Sequence, residues 1–216
     1  MITLGIDTSF EVNAGLARDG EPLDAVCVPD NRAHAEQLTP LVTTLIARNG
    51  LTFADIGEIA VGLGPGPFTG LRVGIVTAWT LAAAAGIEAH GVCSLDAIAS
   101  AWVRAADAPD EFVVASDARR RELYWARYEN GARVGDPQVS APDQLPSLPV
   151  CGPGVQVYPE VFALSTGPTR LDASVLAADW AGFTDAGREP LYLRPADAAV
   201  PTRRKSALPR VTLERS

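Results

Sequence analysis

The chain has 216 residues, 47% of them hydrophobic, and a net charge of -8. That length supplies one large or two small cores. The charge makes the chain by itself a poor ligand for nucleic acid, whose phosphates need clustered Lys and Arg. No run approaches the roughly 18–20 apolar residues of a membrane span, and the opening MITLGIDTSF has no basic leader region, so the reading is a cytoplasmic protein.

Residues 2–7 (ITLGID) are an apolar run ending on an acid, and 8–10 are a polar turn. Residues 11–18 and 22–28 read as two further strands joined by an Asp19-Gly20 hairpin signal. Residues 31–36 form a polar loop. Leu38, Leu41, Val42, Leu45 and Ile46 then recur at helical spacing, with Pro40 near the start and Gly50 as the stop. Residues 58–63 are a short apolar strand, 64–70 a loop of glycines and prolines, and 71–85 a helix ended by Gly86. A short strand at 88–92 and a helix from an N-cap at Ser94 to about Arg104 complete a first lobe.

Residues 105–110 (AADAPD) turn polar and small. Residues 112–117 (FVVASD) then repeat the opening: an apolar strand ending in an aspartate, a polar turn, a returning strand at 122–128, and a hairpin signal at Asn130-Gly131. Asp117 stands where Asp7 stood. The order predicts two related α/β lobes, each opening with a meander: residues 1–105, a smaller lobe at 106–190, and a C-terminal segment at 191–216. Residues 150–152 read as a strand entering a turn, Ser174 as the cap of a helix through Gly182, and 191–194 as a last apolar element. Residues 201–216 carry Arg203, Arg204, Lys205, Arg210 and Arg215 against Glu214 alone and read as a solvated basic tail.

Two stretches invite a phosphate. Gly64, Gly66 and Gly70 sit between a strand and a helix, where N–H groups face an anion. Pro65 and Pro67 remove two of those donors, and no Gly-Lys-Ser/Thr follows. The loop is therefore either an anion contact through Gly64, Gly66 and Thr69 or a tight turn that lets the helix pack closely. Asp7-Thr8-Ser9 is either the strand-end acid of a phosphotransferase, with Asp7 and Thr8 on the phosphate, or an Asx-type turn. The two histidines, His34 and His90, form no HxxxH or HExxH pair, and no nucleophile set can be read from spacing. Cys27, Cys93 and Cys151 lie far apart and read as three buried thiols, offering neither zinc nor a disulfide framework. Arg119-Arg120-Arg121 is a basic turn in an acidic chain, open to a phosphate, an acidic partner or solvent.

The helix at 71–85 is apolar on more than one side. Leu71, Ile75, Ala78, Trp79 and Ala82 form the stripe assigned to the sheet. Val73, Val76, Thr77, Thr80 and Ala84 lie toward the other side, with the helix at 38–49 (Leu38, Leu41, Leu45) as its neighbour. A helix apolar all round is either fully buried or covers a second surface, here another subunit.

The stretches ITLGIDTSFEVNAGLAR (2–18), RAHAEQLTPLV (32–42), IAVGLGPGPFTGLRVGI (59–75), GVCSLDAIA (91–99), SDARRRELYWARY (116–128) and LYLRPADAAVP (191–201) resemble the TsaB family, over nearly the whole chain. Pro67 departs from the small hydroxyl residue more usual there. The resemblance implies the two-lobed actin-like ATPase architecture of actin, Hsp70 and sugar kinases. It also implies a non-catalytic subunit that pairs with a catalytic TsaD-type subunit to make threonylcarbamoyl-adenosine in tRNA, beside a TsaE-type ATPase. The resemblance also implies that the partner contact falls on the two helices just named. The catalytic subunit carries HxxxH where this chain has Ser94-Leu95-Asp96-Ala97-Ile98. No catalytic residue, metal or cofactor is implied for this chain, tRNA is met only through the complex, and self-association stays open. The competing reading is a stand-alone actin-like kinase or a metallopeptidase.

Overall fold

The computed structural model describes residues 1–28, 34–162 and 165–194. The first lobe contains β1 (Ile2–Asp7), β2 (Val12–Arg18), β3 (Glu21–Val28), α1 (His34–Arg48), β4 (Ile56–Gly62), α2 (Phe68–Ala85), β5 (Glu88–Val92) and α3 (Ser94–Arg104). Its sheet runs β3-β2-β1-β4-β5, antiparallel through the meander and parallel where β4 and β5 join. The second sheet is built from β6 (Glu111–Asp117), β7 (Leu123–Glu129), β8 (Ala132–Ser140) and β9 (Val150–Cys151), in the order β8-β7-β6-β9. Its meander is antiparallel and β9 joins β6 in parallel, as β4 joins β1. The duplication is thus one of topology, and the molecule has the two-lobed actin-like architecture. The short helices α4 (Gly154–Val157) and α5 (Ala173–Asp179) follow.

Alternation along β1 decides what each face meets. Ile2, Leu4 and Ile6 point into a core under α1 and α2, with Leu38, Val42, Leu45, Leu71, Ile75 and Ala78. The opposite face of the sheet meets α5. Gly5 and Gly15 are register partners there, and a Cβ on either would run into the Ala173 backbone. Only two glycines side by side let α5 lie this close. A second core joins the sheets through α3 and α5, with Leu95, Ile98, Trp102, Phe112, Tyr128 and Leu176. A third lies on the outer face of the second sheet, under Leu145, Leu148, Val155, Tyr158 and Phe162. The 173–179 helix follows the second sheet in sequence yet packs on the first.

Several boundaries move. α1 begins at His34, inside the stretch read as loop; its 31–33 part and the basic tail at 201–216 lie outside the described residues. α2 begins at Phe68, three residues early, with Pro67 as its N-cap. The N-cap of α3 is Cys93, and Ser94 is the first helical residue. The cap of α5 is Asp172, whose carboxylate accepts the Ser174 N–H. Residues 191–194 adopt no regular structure. Cys27 is exposed on a strand with one solvated face, against the reading of three buried thiols. By length and composition alone α2 is apolar enough to cross a membrane, which a scan for unbroken apolar runs misses because its apolar character is spread over glycine and alanine.

Candidate functional site

β1 delivers Asp7 to the C-terminal edge of the first sheet, where β4 and the start of α3 close over it. The side chain is 0% exposed. One carboxylate oxygen accepts the Ser9 N–H at 2.9 Å, an Asx turn; the other accepts from the Ser94 hydroxyl at 2.5 Å and the Ser9 hydroxyl at 3.1 Å. Ser94 Oγ in turn accepts the Gly64 N–H at 3.1 Å. Burial pushes the Asp7 carboxyl up to about 6, and the three hydrogen bonds offset only part of that. Asp117 Oδ1 accepts the Arg119 N–H at 2.8 Å, repeating the same turn in the second lobe.

Thr8 is tied to α2. Its hydroxyl donates to the Gly70 carbonyl at 2.8 Å and accepts the Gly74 N–H at 3.2 Å, bridging groups one helical turn apart. A Cβ on Gly74 would collide with that hydroxyl, so glycine is what admits the contact. Gly66 packs on the Ser9 backbone, where a Cβ would lie 2.6 Å from the carbonyl oxygen. Asp7, Thr8, Gly64 and Gly66 therefore converge on one another, and Thr69 points to solvent. The hydroxyl of Ser94, read as a helix cap, is a donor to Asp7 instead. Its partner lies 87 residues away, a signal that local patterning does not carry.

The faces of α2 divide as the stripes suggest. Leu71, Ile75, Ala78 and Ala82 are buried, and Trp79 is half-buried. Val76 is 62% exposed, Thr80 and Ala84 are exposed, and Val73 and Thr77 are half-exposed. On α1, Leu38 and Leu45 turn into the core and Leu41 is half-buried. An apolar stripe at helical spacing faces its own sheet first, so these two leucines present nothing to a partner.

The lobes are fastened together. Asp96 on α3 accepts from the Tyr128 hydroxyl at 2.7 Å on β7 and from Arg133 Nε at 2.9 Å on β8. Burial raises the Asp96 carboxyl, and Arg133 and Tyr128 counter it. Among the described residues no group of three His, Cys, Asp or Glu converges as metal ligands would. A cavity of about 980 Å3 opens elsewhere, on the outer edge of β5, past His90 and Trp180, whose rings stack 3.7 Å apart.

Residues 28–176 match the family profile of TsaD, tRNA N6-adenosine threonylcarbamoyltransferase. An uncharacterized protein of Mycobacterium tuberculosis is 43% identical over 204 residues, 90% of this chain and 92% of that one. The Escherichia coli tRNA threonylcarbamoyladenosine biosynthesis protein TsaB is 36% identical over 141 residues, 63% of this chain and 60% of that one. A crystal structure from Pseudomonas aeruginosa, described as an uncharacterized protein with similarity to peptidase YEAZ, superimposes with a TM-score of 0.73. It is 27% identical, over 89% of this chain and 99% of that chain.

Proposed function

We propose a function from one premise: the chain belongs to the TsaD family and, within it, to the TsaB proteins of tRNA threonylcarbamoyladenosine biosynthesis. In this reading it is a non-catalytic subunit that docks a catalytic TsaD-type subunit and supports threonylcarbamoylation of tRNA. The observation that carries it is the outer face of α2, where Val76 is exposed between Val73, Thr77, Thr80 and Ala84. Small side chains there let a partner helix approach closely, and Val76 supplies an apolar anchor. A TsaE-type ATPase joins through the same complex.

A stand-alone kinase or peptidase would need an acid or nucleophile open to substrate. Asp7, the acid at the end of the first strand, is instead enclosed by Ser9, Ser94 and the 64–66 loop.

The test is Thr80→Arg. Thr80 is exposed in the free chain, so circular dichroism should show an intact fold. At the centre of an interface the unpaired guanidinium should cost roughly 2–5 kcal/mol, weakening capture of the catalytic subunit about 30-fold or more. A folded variant that still captures the subunit normally would move the docking surface elsewhere.

A further inference from the structure

The first sheet ends on β5, and its outer edge is covered over only part of its length. β5 runs parallel to β4, with Ile59 opposite Ala89 and Gly62 opposite Val92. The Val92 carbonyl accepts the Leu63 N–H at 2.8 Å, so Val92 turns its backbone groups toward β4. These groups alternate along a strand, so Gly91 and Ala89 turn theirs outward. Gly91 is met there: its carbonyl accepts the Ala186 N–H at 2.9 Å, and it bridges Gly187. Ile87 is tied back to α2, its N–H donating to the Ala82 carbonyl at 3.0 Å. The covering segment then peels away, and the Leu191 N–H donates to the Leu63 carbonyl at 2.8 Å, just past the end of β4. Ala89 is left with an N–H and a carbonyl facing outward, without a partner among the described residues.

The cavity of about 980 Å3 lies along this open edge and takes its walls from both faces of the sheet. On one face are Trp79 and Ala82 of α2, in the core that also holds Ile87 and Ala89. On the other are His90, Trp180 and Phe183. Glu88 and His90 alternate with Ala89 along β5 and so belong to that second face. The second wall is braced from below, where Glu58 accepts from Trp180 Nε1 at 3.0 Å and from the Thr3 hydroxyl at 2.8 Å. A strand edge open between two such walls is a slot.

The charge of the lining is negative. Glu88, Asp185 and Glu189 stand against one guanidinium, Arg188. Arg188 lies 5.3 Å from the Trp79 ring centre, and Asp185 accepts the Gly187 N–H at 2.9 Å. Glu88 and Glu189 are exposed. Glu88 has only His90 near it, at 3.9 Å, and Glu189 has no partner among the described residues. Two carboxylates are therefore available at the slot.

We propose that this slot takes an extended basic peptide of a partner protein as an added strand on β5. The open N–H and carbonyl of Ala89 hold the backbone of such a strand. Its alternate side chains fall on the two walls: apolar ones toward Trp79 and Ala82, basic ones toward the face that bears Glu88. A helix has no unbonded backbone groups to give Ala89, and a small cation has no use for them. The slot uses Trp79, Ala82 and Ala83 of α2 and leaves Val76 and Thr80 clear. The inference therefore does not rest on the proposed docking of a catalytic subunit.

The probe is a short labelled peptide alternating valine with lysine, set against its counterpart with glutamate for lysine. Binding to the full chain is read by fluorescence anisotropy. The lysine peptide should bind about tenfold or more tighter than the glutamate peptide and weaken as salt rises. Hydrogen exchange of the Ala89 amide, followed by NMR, should slow when the lysine peptide is added. Glu88→Gln with Glu189→Gln should weaken the lysine peptide about fivefold at low salt and leave the melting midpoint unchanged. Ala89→Pro removes the outward N–H without breaking a bond of the fold and should weaken it about tenfold or more. No binding of the lysine peptide, equal binding of the two peptides, or binding that leaves Ala89 exchange unchanged would each overturn the proposal. Binding that appears only after removal of residues 201–216 would also overturn it, giving the slot to this chain's own tail. So would a dimer, seen by light scattering, that Ala89→Pro dissolves, since the occupant would then be a second copy.

Discussion

Asp7→Asn should make the protein more stable at neutral pH. Below about 3.8, the ordinary aspartate value, Asp7 is protonated folded and unfolded, and burial of its carboxyl costs nothing extra. Between about 3.8 and about 6 only the folded chain keeps the proton, so stability falls as pH rises. Above about 6 the carboxylate is ionised in both states, and the penalty levels off at about 3 kcal/mol, from 1.36 kcal/mol per pH unit. Asparagine has the same shape and no charge to bury. Its oxygen can accept the Ser9 N–H, and its NH2 can donate to the Ser94 hydroxyl, with about 1 kcal/mol lost to weaker hydrogen bonds. The variant should therefore gain about 2 kcal/mol at pH 7.5, and the gain should disappear toward pH 4. Urea unfolding of both proteins across that range measures the difference, and groups common to the two cancel. A difference independent of pH would refute the reasoning, as would a variant less stable at pH 7.5.

Gly74→Ala should destabilise by about 1–3 kcal/mol through collision with the Thr8 hydroxyl. Adding Thr8→Ala should return part of that loss, so a thermal-melt double-mutant cycle should show coupling of about 0.5–3 kcal/mol. Arg133→Met strands the buried Asp96 carboxylate between the lobes and should cost about 3–5 kcal/mol by urea unfolding, with Asp96→Asn added on top recovering part of it. The purified chain alone should transfer no threonylcarbamoyl group and cleave no protein, with or without divalent metal. Metal-dependent turnover lost in Asp7→Asn or Asp117→Asn would contradict the non-catalytic reading.

The meanders were legible because their signals are local: alternation along β1 and β6, and turn chemistry at Asp19-Gly20 and Asn130-Gly131, where Asp19 and Asn130 take positive φ. The two faces of α2 were legible for the same reason. What stayed hidden depends on distant partners. Nothing around residue 173 says which sheet α5 covers; the only trace is the missing side chains of Gly5 and Gly15. Ser94 is a fair helix cap by residue type, but Asp7 claims its hydroxyl. Leu38 and Leu45 carry an apolar stripe whichever surface they meet, and periodicity cannot tell a core from an interface. The left-handed backbone of Arg119, Arg120 and Arg121 has no marker either, since glycine is what such backbone ordinarily selects.

The seat of α5 on β1 and β2 has a consequence for how the protein is made. When the ribosome has released the first hundred residues, the meander and its flanking helices are complete, but the face bearing Gly5 and Gly15 is still bare. Its cover is encoded past residue 170. At about 5–20 residues per second, the nascent chain waits several seconds with that face open. A chain halted or clipped in that interval should be a substrate for chaperones and proteases, although every strand of its first sheet has been synthesised.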